Sequence, residues 1–109
     1  MIDWSQLAQL RKDIGEEDFG FVVDMFFEES DPVVTRLVET PDPGTAEADY
    51  HFLKGSASSL GFVVLSDLCD TFEQRAVEKT LPPDAGAQTA ACYAATKAAL
   101  QNGDWTKTG

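Results

Sequence analysis

Apolar residues recur every three or four positions along almost the whole chain. This spacing places them on one side of an α-helix, whereas a half-buried strand needs strict alternation of apolar and polar residues. No segment shows that alternation over the length of a strand. The pattern therefore predicts an all-α protein.

The first break in the pattern bounds a short N-terminal helix over about 3–13. Asp3 followed by Gln6 resembles a capping box, in which a side chain accepts a hydrogen bond from a free backbone N–H of the first turn. Ile14-Gly15 can end the helix, since glycine readily takes the backbone conformation of a helix C-terminus.

A second helix should begin at the acidic residues 16–18, where the helix dipole favours negative charge, and run to about Glu39. Apolar residues keep the same phase on both sides of Pro32, which favours one kinked helix. Asp31 and Pro32 could instead be the N-cap and first residue of a separate helix.

Turn residues divide the rest of the chain into three more helices. Thr45 can cap a third helix that ends at Gly61, and a fourth begins near Val64. Asp84 can cap an alanine-rich fifth helix. Long helices with short connections predict an antiparallel up-and-down four-helix bundle with a short additional N-terminal helix. We expect one domain over 1–109, with the bundle at about 16–101 and a frayed tail at 102–109.

Charge limits the partners that this surface can take. The chain carries 8 Lys and Arg against 19 Asp and Glu, a net charge of −11, which repels nucleic acid and anionic membranes. A targeting segment and a long apolar run are missing from the sequence, so we expect a cytoplasmic protein. Cys69 and Cys92 are expected to be reduced and structural. A monomer is expected because no long apolar stripe remains once the bundle closes.

The single histidine has an unusual position. At about 100° per residue, Tyr50 and Leu53 fall on the apolar side of the third helix, while His51, Lys54 and Gly55 fall on the other. An imidazole facing water, beside a cation and the smallest residue, suits a group that a partner must approach. An ordinary surface histidine is the plain alternative. Metal catalysis is disfavoured, because one histidine cannot supply the paired histidines of a zinc helix or a di-iron bundle.

The residues around this histidine resemble a known family. His51-Phe52-Leu53-Lys54-Gly55-Ser56, followed by Leu60-Gly61, is similar to the signature of histidine-containing phosphotransfer (HPt) domains. The resemblance extends over nearly the whole chain. It implies that His51 accepts a phosphoryl group and exchanges it with the aspartate of a response-regulator receiver domain, downstream of a hybrid histidine kinase. Such a chain is a phosphotransfer intermediate rather than an autonomous kinase, without a cofactor of its own, and Mg²⁺ belongs to the receiver.

The resemblance also gives roles to neighbouring residues. Lys54 would stabilise negative charge on the transferring phosphoryl group, and Gly55 would leave clearance for the partner. Glu73 falls where related domains often carry a group that orients the imidazole, although Asp70 and Glu78 are competing carboxylates.

Docking to a receiver in this family uses an apolar patch near the histidine. Its candidates here are Trp4, Leu7, Leu10 and Phe52, for most of which core packing is the competing interpretation. A chain that starts at methionine and contains no kinase or receiver sequence is expected to stand alone. Two alternatives stay open: a helical adaptor that binds a receiver or another signalling protein without chemistry, and the histidine module of a larger chemotaxis-type kinase.

Overall fold

The computed structural model describes residues 2–39 and 42–102, and the regular secondary structure within them is entirely helical. Of the predicted tail at 102–109, residues 103–109 lie outside the described residues, and the placement of Asn102 in the tail is wrong because it is the last residue of the final helix. The all-α prediction is confirmed, together with the additional N-terminal helix. The five helices are α1 (Trp4–Ile14), α2 (Glu16–Glu39), α3 (Pro43–Ser59), α4 (Val63–Val77) and α5 (Ala85–Asn102).

Helix α1 has the ends that its sequence predicts. The Gln6 backbone N–H donates to Asp3 Oδ1 at 3.1 Å, which satisfies one of the free donors of the first turn. At the other end, Gly15 has φ 89° and its N–H donates to the Arg11 carbonyl at 2.9 Å. That positive φ favours glycine and separates α1 from α2.

Helix α2 is continuous through Pro32, so the alternative of a separate helix is wrong. Proline removes one backbone hydrogen bond inside a helix. Pro32 is exposed, while Val34 and Leu37 beyond it are buried in the same core as Phe26 before it. Burial on both sides of the proline holds the two parts on one helical path.

Helix α3 begins two residues before the predicted cap. Asp42 is the N-cap, and its Oδ1 accepts from the Gly44 N–H at 2.8 Å, with Pro43 in the first turn. The prediction of Thr45 as the cap is wrong, because proline is well suited to a first helical turn and moves the start forward. Thr45 Oγ1 instead donates to the Asp42 carbonyl at 3.3 Å. Gly61, with φ 78°, follows the end of α3 as predicted.

The four long helices form a closed ring, in which α2 packs against α3 and α5, and α4 packs against α3 and α5. Helix α1 packs on α2 and is held to the α3–α4 connection. The Asp3 N–H donates to the Gly61 carbonyl at 2.7 Å, and Gln6 Nε2 donates to the Ser58 carbonyl at 2.8 Å. These bonds fix α1 across the end of the bundle where α3 finishes.

The core combines aliphatic side chains with an aromatic cluster. Phe26 meets Phe62 edge to face at a centroid distance of 5.2 Å, and Phe27 meets Tyr93 at 5.7 Å. Burial raises the pKa of the Cys69 thiol to about 12, so this side chain stays an inert thiol at neutral pH. The helices are therefore packed along their length around one apolar interior that holds α3 in place.

An ion pair between an exposed arginine and a buried aspartate, which the sequence pattern did not indicate, joins α2 to α3. Arg36 Nε and Nη2 donate to the two carboxylate oxygens of Asp49 at 3.0 and 2.6 Å. Asp49 is 7% exposed, so its charge depends on this bidentate contact. The pair links the axial positions of α3 and α2 close to the histidine.

Candidate functional site

The middle of α3 presents the histidine to solvent. The His51 side chain is 70% exposed, whereas Tyr50 and Leu53 beside it are fully buried. The hydroxyl groups of Tyr50 and Thr89 form a 3.0 Å hydrogen bond in the interior, and this bond anchors the turn of α3 against α5. The imidazole thus stands on a rigid helix with its ring open to a partner.

Glu73 on α4 contacts the inner nitrogen of the ring. Its Oε2 lies 2.9 Å from His51 Nδ1, and the Glu73 side chain is 17% exposed. A neutral imidazole that donates from Nδ1 to a carboxylate has its lone pair on Nε2. Among the described residues, no side chain or backbone group bonds to Nε2. The arrangement can therefore hold the ring in the tautomer whose outer nitrogen is nucleophilic.

Lys54 lies between two carboxylates of α4. Its Nζ is 2.8 Å from Glu73 Oε1 and 3.3 Å from Asp70 Oδ1. The contact with Glu73 is a close ion pair and the shorter of the two. Because Glu73 binds the ring through its other oxygen, Lys54 and His51 meet at one carboxylate.

Charge coupling keeps both partners ionised. The Lys54 ammonium lowers the pKa of Glu73 below its ordinary value; partial burial opposes this shift, and the contact with His51 adds to it. The same contact with Glu73 raises the pKa of Lys54, with a smaller contribution from Asp70. Glu73 is therefore an acceptor for a proton on Nδ1 throughout the neutral range.

This coupling predicts a pH dependence of stability. The folded-state pKa of Glu73 lies below its ordinary value of 4.5, so its contribution is present above that value and is lost as the pH falls through the folded pKa. Between about pH 6 and pH 3, the melting temperature of the wild type should fall more steeply than that of Glu73→Gln. Thermal melts followed by circular dichroism measure both curves. Glu47→Gln, which removes an exposed carboxylate from α3, is the matched control, and parallel curves for wild type and Glu73→Gln would refute the coupling.

Gly55, one turn after the histidine, borders open space. A Cβ built on Gly55 meets no atom within 4 Å, and the residue is exposed. Close packing between helices therefore does not account for glycine at this position. At Gly55 itself, no side chain rises from the helix surface beside the ring.

The four docking candidates differ in exposure. Leu7 is fully buried, and Trp4 and Leu10 pack partly buried against the core. Phe52, next to the histidine, is 37% exposed. Leu7 thus belongs to the interior, and Phe52 is the candidate that presents the most open apolar surface beside the ring.

Of the three carboxylates proposed to contact the imidazole, Glu73 is the one that lies against it. Asp70 pairs with Lys54, and Glu78 is the C-cap residue of α4. The role of Asp70 as a partner of the lysine was missed by the sequence reasoning. Its signal was the spacing of three between Asp70 and Glu73, which puts both carboxylates on one face of α4.

Within residues 2–39 and 42–102, no cluster of three potential metal ligands occurs. In the same part of the chain, every helix is too short or too polar to span a membrane. The structure brings together four side chains here, His51, Lys54, Asp70 and Glu73, beside the open space at Gly55.

Comparison with known proteins identifies the family. A family model described as Hpt domain matches residues 22–101, which include all four helices of the bundle in whole or in large part. Searches of curated proteins and of solved structures gave no significant match. The matched segment contains the exposed histidine and the carboxylate that holds it. The chain therefore belongs to the Hpt domain family, which indicates a role in histidine phosphotransfer in two-component signalling.

Proposed function

We propose that His51 is the phosphoryl carrier of a phosphorelay, receiving the group from the aspartyl phosphate of a receiver domain and passing it to another. The observation that carries this proposal is the exposed ring with Nδ1 held by Glu73 at 2.9 Å and Nε2 directed at no protein group of the described chain. An upstream hybrid histidine kinase would supply the first receiver, and Mg²⁺ would be bound in the receiver's own acidic pocket.

The proposed transfer step needs only the His51 imidazole and the aspartyl phosphate of the receiver. The Nε2 lone pair forms the bond to phosphorus while the bond between phosphorus and the aspartyl oxygen breaks, and the electron pair of that bond stays on the aspartate. Nδ1 keeps its proton, so the phosphorylated ring carries positive charge. Transfer to the next aspartate reverses the same bonds, and no proton needs to leave the site.

Glu73 would act on the charge of the ring. As Nε2 bonds to phosphorus, positive charge develops on the imidazole, and the carboxylate 2.9 Å from Nδ1 stabilises it. The fixed carboxylate also keeps the ring in one orientation, so little reorganisation is needed when the receiver arrives. Glu73 is in this view a positioning residue, since it acts through His51 and does not touch phosphorus.

Lys54 can bind two kinds of partner: the carboxylates of Asp70 and Glu73, and the incoming phosphoryl group. Lys54 lies one turn from His51 and its side chain is 31% exposed, so the ammonium can move toward the equatorial phosphoryl oxygens when the receiver docks. Asp70, at 3.3 Å and half exposed, is the weaker of the two existing contacts and the easier one to give up.

Substitutions should separate these contacts. Lys54→Ala is expected to lower the transfer rate about tenfold, a change of the size that one well-placed charge supplies in a transition state. Asp70→Asn should leave the rate unchanged or raise it up to about threefold, because the lysine loses a competing anion. A time course of quenched transfer reactions from a labelled receiver measures both rates. Helicity measured by circular dichroism shows that each variant folds. Equal rates for wild type and Lys54→Ala would make the lysine a bystander.

The proposal is tested by incubating the chain with a phosphorylated receiver and following the label. Phosphorus on a histidine nitrogen is acid-labile and alkali-stable, so a label with that stability on this chain supports the carrier. Stable binding of the receiver without transfer of label would contradict the carrier and favour the adaptor. Profiling the chain against many receiver domains identifies its partners. The expected interface is weak and transient, at about 1,200 Å² or less, so surface detail distinguishes one receiver from another.

A further inference from the structure

Glu73 contacts the histidine ring away from the nitrogen that is free to react. Its Oε2 lies 2.9 Å from His51 Nδ1, and a ring carbon separates Nδ1 from Nε2. A phosphoryl group on Nε2 would therefore be attached at the part of the ring that is farther from the carboxylate. The positive charge of a phosphorylated ring would lie closer to Glu73 than the negative charge of the phosphoryl group.

Lys54 makes this carboxylate compatible with a nearby phosphoryl group, because its ammonium offsets the negative charge. Its Nζ lies 2.8 Å from Glu73 Oε1, an oxygen that is itself buried, so water screens this contact less than an exposed pair. Two further carboxylates border the site. Asp70 Oδ1 is 3.3 Å from the same ammonium, and Glu47 is exposed one turn before His51. Of the three carboxylates, Glu73 is the one that contacts the ring.

The contact of Glu73 with the ring changes in strength when the ring is phosphorylated. Before transfer, a neutral imidazole donates from Nδ1 to the carboxylate; after transfer, a cationic ring donates the same hydrogen bond. The cation adds an attraction between unit charges to a bond that already exists. Glu73 therefore stabilises the phosphorylated state more than the free state. A group that only oriented the ring would stabilise both states alike and would leave the equilibrium between them unchanged.

We propose that Glu73 determines how the phosphoryl group is shared between this chain and its receiver, by shifting the transfer equilibrium toward phosphorylated His51. The inference rests on the proposed carrier function and extends it from the path of the phosphoryl group to its distribution. The transfer itself is unchanged: phosphorus passes between the aspartyl oxygen and Nε2, and the proton stays on Nδ1. An amide at this position could accept the same hydrogen bond without a charge, so the carboxylate makes this chain the better store of phosphoryl groups.

Transfer rates in both directions between the full chain and a receiver give the equilibrium constant as their ratio. Glu73→Gln keeps the length and the acceptor oxygen of the side chain and removes its charge. The equilibrium should move about tenfold toward the phosphorylated receiver, as expected when a hydrogen bond loses one of two charged partners. Glu47→Gln, which removes the exposed carboxylate one turn before His51, is the matched control and should stay within about twofold of wild type.

The rates distinguish failure of this inference from failure of the carrier function. If the wild type takes no label from the receiver, the carrier function is wrong and the inference falls with it. If the wild type is labelled and Glu73→Gln changes both rates by the same factor, the equilibrium is unchanged. Glu73 would then only orient the ring, and the inference alone would be overturned.

A second measurement does not depend on the folding of a variant. The chain has one histidine, so the ¹⁵N NMR spectrum of the phosphorylated, histidine-labelled wild type contains a single imidazole. At about pH 7.5, Nδ1 of the phosphorylated ring should still carry its proton, because a carboxylate in contact with a ring favours its charged form. An unprotonated Nδ1 at that pH would leave Glu73 no cation to stabilise and would contradict the inference.

Discussion

His51→Gln should reduce transfer of label from a phosphorylated receiver to below detection. An amide nitrogen has no available lone pair for attack on phosphorus, so the variant keeps a polar side chain of similar size without the nucleophile. The melting temperature should change little, because the side chain is 70% exposed and its contact with Glu73 is at the surface. Transfer assays and thermal melts on the same preparation measure the two effects.

The chain itself supplies the control for this experiment. It contains one histidine, so a phosphohistidine on the wild type can have no other origin within the sequence. Residual label on the variant would have to be on another type of residue and would differ in its stability to acid and alkali. Undiminished acid-labile label on His51→Gln would remove His51 from the mechanism and with it the proposed carrier function.

The apolar pattern predicted the helices well because each helix buries one continuous stripe. The phase of Val34 and Leu37 beyond Pro32 indicated one helix, and the structure has one. The start of α3 was wrong for a local reason: Asp42 and Thr45 are both good caps, and Pro43 decides between them. Helix ends depend on such close competition, whereas burial of a stripe does not.

The site was predictable to the extent that it depends on one helix. The wheel of α3 placed His51 and Gly55 on the exposed side, where the structure has them. The contact of Lys54 with Asp70 depends on the register of α4 against α3, which packing along the whole interface determines. The Arg36 pair with Asp49 likewise requires two helices at once.

Gly55→Gln should slow transfer by roughly two orders of magnitude while making the fold slightly more stable. Glutamine is a good helix former, and glycine costs about 1 kcal/mol relative to alanine in a helix interior, so the melting temperature should rise by a few degrees. No atom lies within 4 Å of the new Cβ, so the side chain enters open space without strain. That space is one turn from His51. In the proposed relay, the receiver brings its aspartate within bonding distance of Nε2 at this place, and a displacement of about 1 Å can cost a hundredfold in rate.

Gly20→Gln is the matched control, because Gly20 is also exposed inside a helix and a Cβ there meets no atom within 4 Å. It should give a similar gain in melting temperature without the loss of transfer. Gly55→Ala should keep most of the rate, since a methyl group rises little above the helix surface. A gradual loss from alanine to glutamine at Gly55, with none at Gly20, assigns the effect to clearance beside the ring. Full transfer by Gly55→Gln would mean that the receiver approaches His51 from another direction, and the glycine would then need a different explanation.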